Sequence, residues 1–290
     1  AVNPDEVLFV IDAMIGQDAV KTAEANGVLT FPTAVEAVAV AEVVITMLPS
    51  GAIVKKLYDE ILPATATGAL LIDSSTISVA DAREINSRAA DHGFAQVDAP
   101  VSGGVKGAVA GTLAFMVGGT EEAFVAARPT LEPMAGKIIH CGESGAGQAA
   151  KVCNNMILAV QQIVVGEAFV LAEKLGLADQ ALYDVITGAT GNCWAVQTNC
   201  PVPGPVPTSP ANNDFKPGFA TALMHKDLGL AMAAVESTGS NAPLGTHAAQ
   251  IYADFNAEHS GLDFSAVIEA LRAAAPRVSA VPDGASALCG

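Results

Sequence analysis

The sequence is poor in basic residues: 14 Lys and Arg stand against 30 Asp and Glu, which gives a formal charge of −16. Phosphate backbones are recognised by clustered Lys and Arg. The basic residues here are scattered, so the composition argues against a nucleic-acid partner. An uncharged apolar run near the roughly 20 residues of a membrane span is also missing, and no membrane partner is expected. Both absences favour small-molecule chemistry.

Metal-binding and disulfide patterns are missing too. The five cysteines show neither CxxC spacing nor a partnering run of histidines, so we expect reduced thiols and no metal site. They are Cys141, Cys153, Cys193, Cys200 and Cys289. An N-terminal targeting pattern is not evident, and the expected location is cytoplasmic.

Short apolar runs recur along the first half of the chain. They lie at residues 7–11, 43–48, 69–73, 94–99, 113–119 and 137–141. Helix-like segments separate most of them, such as "SVADAREINSRAADHG", with Ser78 as the predicted N-cap and Gly93 as the predicted stop. This alternation predicts an α/β domain with a mostly parallel, doubly wound sheet covered by helices.

After residue 144 the pattern becomes helical, beginning with about 30 residues that end near Gly176. We therefore predict an α/β domain over residues 1–143, an all-helical domain over 144–275 and a flexible tail over 276–290. Between the helices lies "CPVPGPVPTSPANNDFKPGF", whose prolines and glycines exclude regular structure. A loop of this length is usually functional or disordered.

The segment "GAGQAAKVCNNM" is the most informative one. Lys151 lies four residues before Asn155, so both project from one face of the predicted helix. In this apolar setting desolvation would lower the lysine pKa towards a range useful for acid/base chemistry. The alternative is a snorkelling lysine beside an asparagine that packs between helices.

Three further segments follow predicted strands, where open α/β sheets bind ligands. In "DAPVSGGV" the backbone N–H groups of Ser102, Gly103 and Gly104 can converge on a carboxylate, although an ordinary turn explains the same residues. "TMLPSG" and "IDSSTIS" could line a cofactor cleft, while Lys226 in "MHKDLGL" could equally form a helix-surface pair with Asp227.

Taken together and in order, eight motifs resemble the β-hydroxyacid dehydrogenase family, most closely its 3-hydroxyisobutyrate dehydrogenase branch, from about Ala23 to about Leu271. They are "TMLP", "IDSSTI", "DAPVSGGV", "GTLAFMVGG", "GAGQAAKVCNNM", "CPVPG", "ANN" and "KDLGLA". The resemblance implies a Rossmann-like NAD-binding domain followed by a helical domain. It also implies NAD-dependent oxidation of a small 3-hydroxy acid, 3-hydroxyisobutyrate, to methylmalonate semialdehyde in valine catabolism, by a homodimer or homotetramer.

The resemblance also implies roles for the residues on the substrate side. Lys151 would take the proton from the substrate hydroxyl, or return it in the reverse direction. Ser102, Gly103 and Gly104 would hold the substrate carboxylate, and Asn155 would orient the substrate.

On the cofactor side, the resemblance implies dinucleotide contacts from Leu48, Pro49 and Thr76, and from Lys226 in the helical domain. Asp12 ends the first apolar run. An acid there would accept hydrogen bonds from the adenosine ribose and favour NAD over NADP. It could equally be a strand-end acid that leads into a helix.

The N-terminus departs from the family pattern, because no G-x-G-x-x-G turn is present. "VLFVID" corresponds to the family's second strand, so the first strand and helix are missing. "VNPDEVLFVIDAMIGQDAV" instead resembles the signal recognition particle GTPases, with a join near residues 19–23. No G-x-x-x-x-G-K-[ST] loop supports a GTPase function. Either "VLFVID" moves into the vacated central position of the sheet, or the sheet is compromised.

Two alternatives to this function remain open. One is reduction of tartronate semialdehyde or succinic semialdehyde with the same chemistry. The other is a catalytically dead interaction subunit that lacks the phosphate-binding turn.

Overall fold

The computed structural model describes the backbone of residues 7–10 and all of residues 29–274. Within them the strands are β1 Val7–Val10, β2 Val43–Thr46, β3 Leu70–Asp73, β4 Ala95–Asp98, β5 Val101–Ser102, β6 Leu113–Gly118 and β7 Ala135–Gly142. Asp12, most of the segment resembling the GTPases and the tail predicted over 276–290 lie outside the described residues.

The helices follow the predicted positions and add several short ones. They are α1 Ala34–Val38, α2 Gly51–Ile61, α3 Val79–Asp91, α4 Gly104–Ala110, α5 Glu121–Leu131, α6 Ala146–Leu175, α7 Asp179–Gly188, α8 Trp194–Gln197, α9 Thr221–Thr238, α10 Pro243–His259 and α11 Val267–Ala274. Short 3₁₀ turns lie at Leu62–Ala64, Glu132–Met134, Pro210–Asn212 and Phe264–Ala266.

The predicted helix ends of α3 and α6 are confirmed. Ser78 is the N-cap of α3, and its hydroxyl accepts a 3.0 Å hydrogen bond from the amide of Asp81. Gly93 follows α3 and Gly176 follows α6, with φ of 82° and 76°. Such positive φ values suit glycine, which ends a helix without steric cost.

The strands form one sheet in the order β1-β2-β3-β4-β6-β5, with β7 on β6. β1 to β4 are parallel, as is the β6–β7 pair, while β4 and β5 meet β6 antiparallel. The predicted Rossmann-like, mostly parallel sheet is thus confirmed. β1 hydrogen-bonds directly to β2, so no strand is missing between them, although β1 lies at the edge of the described sheet.

Helices cover both faces of this sheet, because its strands are apolar on both sides. On one face α1, α2 and α3 pack over a core that includes Val38, Val44, Tyr58, Leu71 and Ile85. On the other face α5 packs over a core that includes Ile45, Ile72, Val97, Phe115 and Ala127.

The chain forms two compact units: residues 1–161 with 216–264, and residues 162–215 with 265–290. The second unit has its own core, in which Phe169, Val196 and Ile268 are fully buried. The predicted boundary between residues 143 and 144 stays a prediction. By length and composition α6 could cross a membrane, but half of its most apolar window is buried, and core helices of soluble proteins meet the same test.

The proline-rich loop forms no helix or strand apart from one 3₁₀ turn, as predicted. Hydrogen bonds between side chains and the backbone fix its conformation instead. The hydroxyl of Ser209 donates to the carbonyl of Cys200 at 2.5 Å. The Asn212 side chain accepts from the amide of Gly204 at 2.9 Å and donates to the carbonyl of Val206 at 2.8 Å.

Candidate active site

Three polar side chains form a row at the carboxyl ends of the parallel strands. Thr46 pairs with Asp73 and Asp73 pairs with Asp98 in the register of β2, β3 and β4. All three are almost fully buried. Since residues directly opposite in a sheet share a face, the row marks one edge of the sheet, where α/β folds bind ligands.

Asp98 caps the N-terminus of α6, the helix that carries Lys151. Its carboxylate oxygens accept hydrogen bonds from the amides of Gly145 at 2.7 Å and Gln148 at 2.9 Å. Burial raises the pKa of Asp98, and these backbone hydrogen bonds oppose the rise. A carboxylate at this position also complements the positive end of the helix dipole.

Glycines let α6 approach the sheet this closely. A Cβ on Gly118 would lie 2.5 Å from the Asp98 carboxylate and 2.8 Å from the amide of Ala146. A Cβ on Gly147 would collide with the carbonyl oxygen of Met116. Glycine at positions 118 and 147 therefore allows the start of α6 to pack directly against the ends of β4 and β6.

Lys151 lies one turn into α6 and is only 6% exposed. Its Nζ donates a 2.8 Å hydrogen bond to the carbonyl of Val101, the residue before Ser102. Burial lowers the pKa of Lys151 below its ordinary 10.5, and neighbouring Lys226 lowers it further, while Asp227 opposes the fall. The snorkelling alternative does not fit, because the ammonium group is inside the protein rather than in water.

Asn155 and Asp227 form a hydrogen-bonded pair beside Lys151. The Asn155 amide donates to the Asp227 carboxylate at 2.5 Å, and both side chains are buried. Burial raises the pKa of Asp227, although Lys151, Asn155 and Lys226 pull it down. The structure thus joins α6 to α9, and Asp227 is not a surface residue.

Lys226 precedes Asp227 on α9 and is half-buried. Burial lowers the pKa of Lys226, while the charges of Asp227 and Asp73 raise it. The lysine is therefore near both the strand-end row and the Lys151 cluster. The alternative of a solvated surface pair is wrong for this segment.

The Ser-Gly-Gly turn lies next to the lysine through Val101. Ser102 is half-exposed, and Gly103 and Gly104 are exposed, with φ of 135° and 59°. These φ values suit glycine. Ser102 ends β5 and Gly104 begins α4, so the predicted turn is a strand-to-helix junction beside Lys151.

The two loops assigned to the cofactor lie at the ends of β2 and β3. The Leu48 side chain is buried in the core, Pro49 is exposed and Thr76 is half-exposed. Leu48 therefore offers backbone rather than side chain to a ligand. Its amide donates to the Ser75 hydroxyl at 2.8 Å, which ties the two loops together.

Gln148 joins the second of these loops to α6. Its side chain donates to the carbonyl of Ser75 at 2.7 Å and accepts from the amide of Ile77 at 3.1 Å. Both residues flank Thr76. The amide group of Gln148 is fully buried, so it fixes the backbone on either side of Thr76.

Sequence reasoning missed Asp73, Asp98, Gln148 and Asp227 as parts of this site. A signal for two of them was present, since "LLID" and "AQVD" both end in an acid at the same end of neighbouring strands. Among the residues that the structure describes, no group of three His, Cys, Asp or Glu side chains forms a metal site.

Two family profiles match the chain. One, described as the NAD-binding domain of 6-phosphogluconate dehydrogenase, covers residues 8–142. The other, described as NAD-binding of NADP-dependent 3-hydroxyisobutyrate dehydrogenase, covers residues 145–271. Together they span both the sheet and the helical part of the chain.

Individual proteins are similar over most of their length. A probable 3-hydroxyisobutyrate dehydrogenase of Mycobacterium tuberculosis is 72% identical over 87% of this chain and 86% of its own. A Pseudomonas aeruginosa NAD-dependent L-serine dehydrogenase is 44% identical over 81% of this chain and 80% of its own. The solved Mycobacterium tuberculosis 3-hydroxyisobutyrate dehydrogenase with L-serine is 70% identical, with a TM-score of 0.86 over 89% of this chain and 88% of its own.

Proposed function

Because the chain belongs to the 3-hydroxyisobutyrate dehydrogenase family of NAD-dependent oxidoreductases, we propose that it oxidises 3-hydroxyisobutyrate to methylmalonate semialdehyde, with Lys151 as the acid/base. The observation that carries this proposal is the placement of Lys151. It is buried, its pKa is lowered, and it lies beside a turn that can hold a carboxylate. A 3-hydroxy acid needs both features, one for each of its functional groups.

The lysine provides the proton transfer. A neutral amine at Nζ can accept the proton of the substrate hydroxyl, and burial makes that neutral form accessible at lower pH than in water. The Val101 carbonyl, 2.8 Å away, and the charge of Asp227 stabilise the ammonium that results. Lys151 can then return the proton in the reverse direction.

The substrate is oriented by groups on both sides of the lysine. Ser102 and the amides of Gly103 and Gly104 would hold the carboxylate. Asn155, fixed by Asp227, would contact the substrate near its hydroxyl. Two points of attachment around one base place the reacting carbon reproducibly, which is the main contribution a protein makes to such a reaction.

The residues present fit a nicotinamide cofactor at the edge formed by β2 and β3. Pro49 and Thr76 would hold it from the two loops, and Lys226 would contribute a half-buried cation. When bound, the nicotinamide supplies the hydride acceptor.

L-serine is a second candidate substrate, favoured by the solved relative with L-serine and by the L-serine dehydrogenase relative. It shares the carboxylate and the hydroxymethyl group with 3-hydroxyisobutyrate, and an ammonium replaces the methyl group. The two lysines close to the site, Lys151 and Lys226, disfavour the further positive charge of the L-serine ammonium, so we place 3-hydroxyisobutyrate first. Reduction of tartronate semialdehyde or succinic semialdehyde ranks third, after these two substrates.

The wider setting is proposed on similar grounds: a role in valine catabolism in the cytoplasm, as a homodimer or homotetramer. Support for an oligomer comes from α6, on which Ile157, Val164 and Leu171 are more than half exposed and spaced seven residues apart. Exposed apolar side chains that repeat along one helix are typical of subunit interfaces.

The test is a titration of the full chain with NADH and NADPH, followed by turnover of 3-hydroxyisobutyrate and L-serine. We expect NADH binding, turnover with NAD, and a higher kcat/KM for 3-hydroxyisobutyrate. Lys151→Met should lower kcat by about a thousandfold, within the range for a positioned acid/base, and keep NADH binding. The exposed Lys174→Met on the same helix is the control. A folded oligomer without NADH binding would instead support a dead interaction subunit.

A further inference from the structure

Asp73 accepts hydrogen bonds from the end of β2 and from the loop after β3, at the edge of the sheet. Its Oδ1 accepts from the Thr46 hydroxyl at 2.8 Å, from the Ser75 hydroxyl at 2.6 Å and from the Ser75 amide at 3.2 Å. Its Oδ2 has no hydrogen-bond partner within the described part of the chain. The carboxyl group is 1% exposed, so these contacts are made away from water.

Ser75 connects Asp73 to the loop that follows β2. A hydroxyl has one proton to donate, and Ser75 donates it to Asp73. Its lone pairs then face the amide of Leu48, which donates to Ser75 Oγ at 2.8 Å. The acceptor at Asp73 therefore sets the rotation of the Ser75 hydroxyl, and the hydroxyl sets the position of the Leu48 backbone.

These hydrogen bonds form a relay from Asp73 through Ser75 to Leu48. Leu48 and Ser75 each adjoin a residue that the proposed function assigns to the cofactor. Leu48 precedes Pro49, which is exposed, and Ser75 precedes Thr76, which is half-exposed. Asp73 itself is buried behind them and cannot touch a ligand. A displacement of Ser75 would move both loops together.

We propose that Asp73 is a positioning residue for the dinucleotide, which acts through the Ser75 hydroxyl to hold the Leu48–Pro49 and Ser75–Thr76 backbones in place. The inference rests on the proposed function, since it presupposes that these loops bind NADH. It adds a role for a residue that lies outside contact with substrate or cofactor.

The arrangement also distinguishes a hydrogen-bond role from a charge role. All three hydrogen bonds arrive at Oδ1, so a neutral acceptor of the same shape can receive them. Asp73→Asn keeps that acceptor and removes the charge, whereas Asp73→Ala removes both. Ser75→Ala interrupts the relay and leaves Asp73 in place. Thr46→Val removes one donor to the same oxygen without touching either loop.

The experiment measures the dissociation constant of NADH by nicotinamide fluorescence for the full chain and these four variants, with kcat and KM for the hydroxy acid at saturating NAD. We expect Asp73→Ala and Ser75→Ala to weaken NADH binding by about tenfold, the size of one well-made hydrogen bond. Asp73→Asn and Thr46→Val should stay within about threefold of the parent. The KM for the hydroxy acid should not change, because Lys151 and its turn are not part of the relay.

The outcomes separate the two proposals. If the parent binds NADH and Ser75→Ala binds it equally well, the relay is wrong while the proposed function stands. If Asp73→Asn loses as much affinity as Asp73→Ala, charge rather than positioning is at work, and the inference fails. If the parent itself does not bind NADH, the proposed function fails first. If the effect were a general loss of packing, Thr46→Val would weaken NADH binding as much as Ser75→Ala does. That result would also overturn the inference.

Discussion

The side chain of Gln148 donates a 2.7 Å hydrogen bond to the backbone oxygen of Ser75, 73 residues earlier in the chain. This bond joins the helix that carries the candidate base to the loop that carries the candidate cofactor contact. In the proposed reaction, proton transfer and hydride transfer depend on elements that are far apart in sequence. Gln148 ties them together without taking part in either.

Replacement of Gln148 by Met keeps its length and removes both hydrogen bonds. The Ser75 carbonyl and the Ile77 amide would lose their partner in a buried place. We expect the free energy of unfolding to fall by about 2 kcal/mol, the usual cost of unsatisfied buried polar groups. Urea denaturation measures it. Gln180→Met, at an exposed site, should leave the value within about 0.5 kcal/mol, and an equal loss in both variants would contradict the role of Gln148.

Burial lowers the pKa of Lys151, and the charge of Asp227 opposes this fall. Asp227→Asn removes that charge and leaves an oxygen to accept the hydrogen bond from Asn155. The lysine pKa should fall further, so neutral amine forms at lower pH. Since the proposed oxidation needs the neutral amine, the rising limb of kcat/KM against pH should move to lower pH. Exposed Asp91→Asn is the control, and a limb that stays in place or moves to higher pH would count against Lys151 as the base.

Asp73 should make stability depend on pH. Burial raises its pKa from 3.8 to about 6. Between these values the folded protein holds the proton more tightly than the unfolded chain, so stability falls as pH rises through this range. Two pH units at 1.36 kcal/mol each amount to about 3 kcal/mol.

Asp73→Asn cannot titrate and should not show this loss. The free energy of unfolding of Asp73→Asn relative to the parent should therefore rise by about 2.5 kcal/mol between pH 4 and pH 7. Chemical denaturation at several pH values measures the difference. Asp91→Asn should follow the parent at every pH, and parallel curves for Asp73→Asn and the parent would show that Asp73 is not perturbed.

Gly147 should not accept a side chain. A Cβ there would collide with the carbonyl oxygen of Met116 and lie 2.8 Å from that of Asp98. Gly147→Ala should cost about 2 kcal/mol by overpacking and displace the first turn of α6, so kcat should fall as well. Gly229→Ala is the matched control, because Gly229 lies in α9 with nothing within 4 Å of its would-be Cβ. That change should be neutral or slightly stabilising; a similar loss at both positions would show that the close approach does not matter.

Much of this fold follows from local patterns. The alternation of apolar runs and helix-like segments placed β1 to β4, β6 and β7 within a few residues, since strands buried on both faces leave a continuous apolar run. The two-residue strand β5 was not predicted, because it has no apolar run of its own. Ser78 and Gly93 were identifiable as helix ends because capping depends on nearby residues alone.

The buried polar partners could not be predicted in the same way. Asp73, Asp98 and Asp227 lie in contact with residues that come from other strands or helices, and a carboxylate in sequence carries no mark of burial. Lys226 and Asp227 look like a solvated pair until α9 is placed against α6. Their roles depend on tertiary packing, which periodicity does not report.

The pairing of Asn155 with Asp227 has a consequence for folding during translation. The two residues are 72 positions apart, and Asp227 belongs to the part of the first unit that returns after residue 215. At about 5 to 20 residues per second, a ribosome needs roughly 4 to 15 seconds to make that stretch. During this interval Lys151 and Asn155 have been synthesised without their acidic neighbour. The site is completed late in translation, after most of the sheet has left the ribosome.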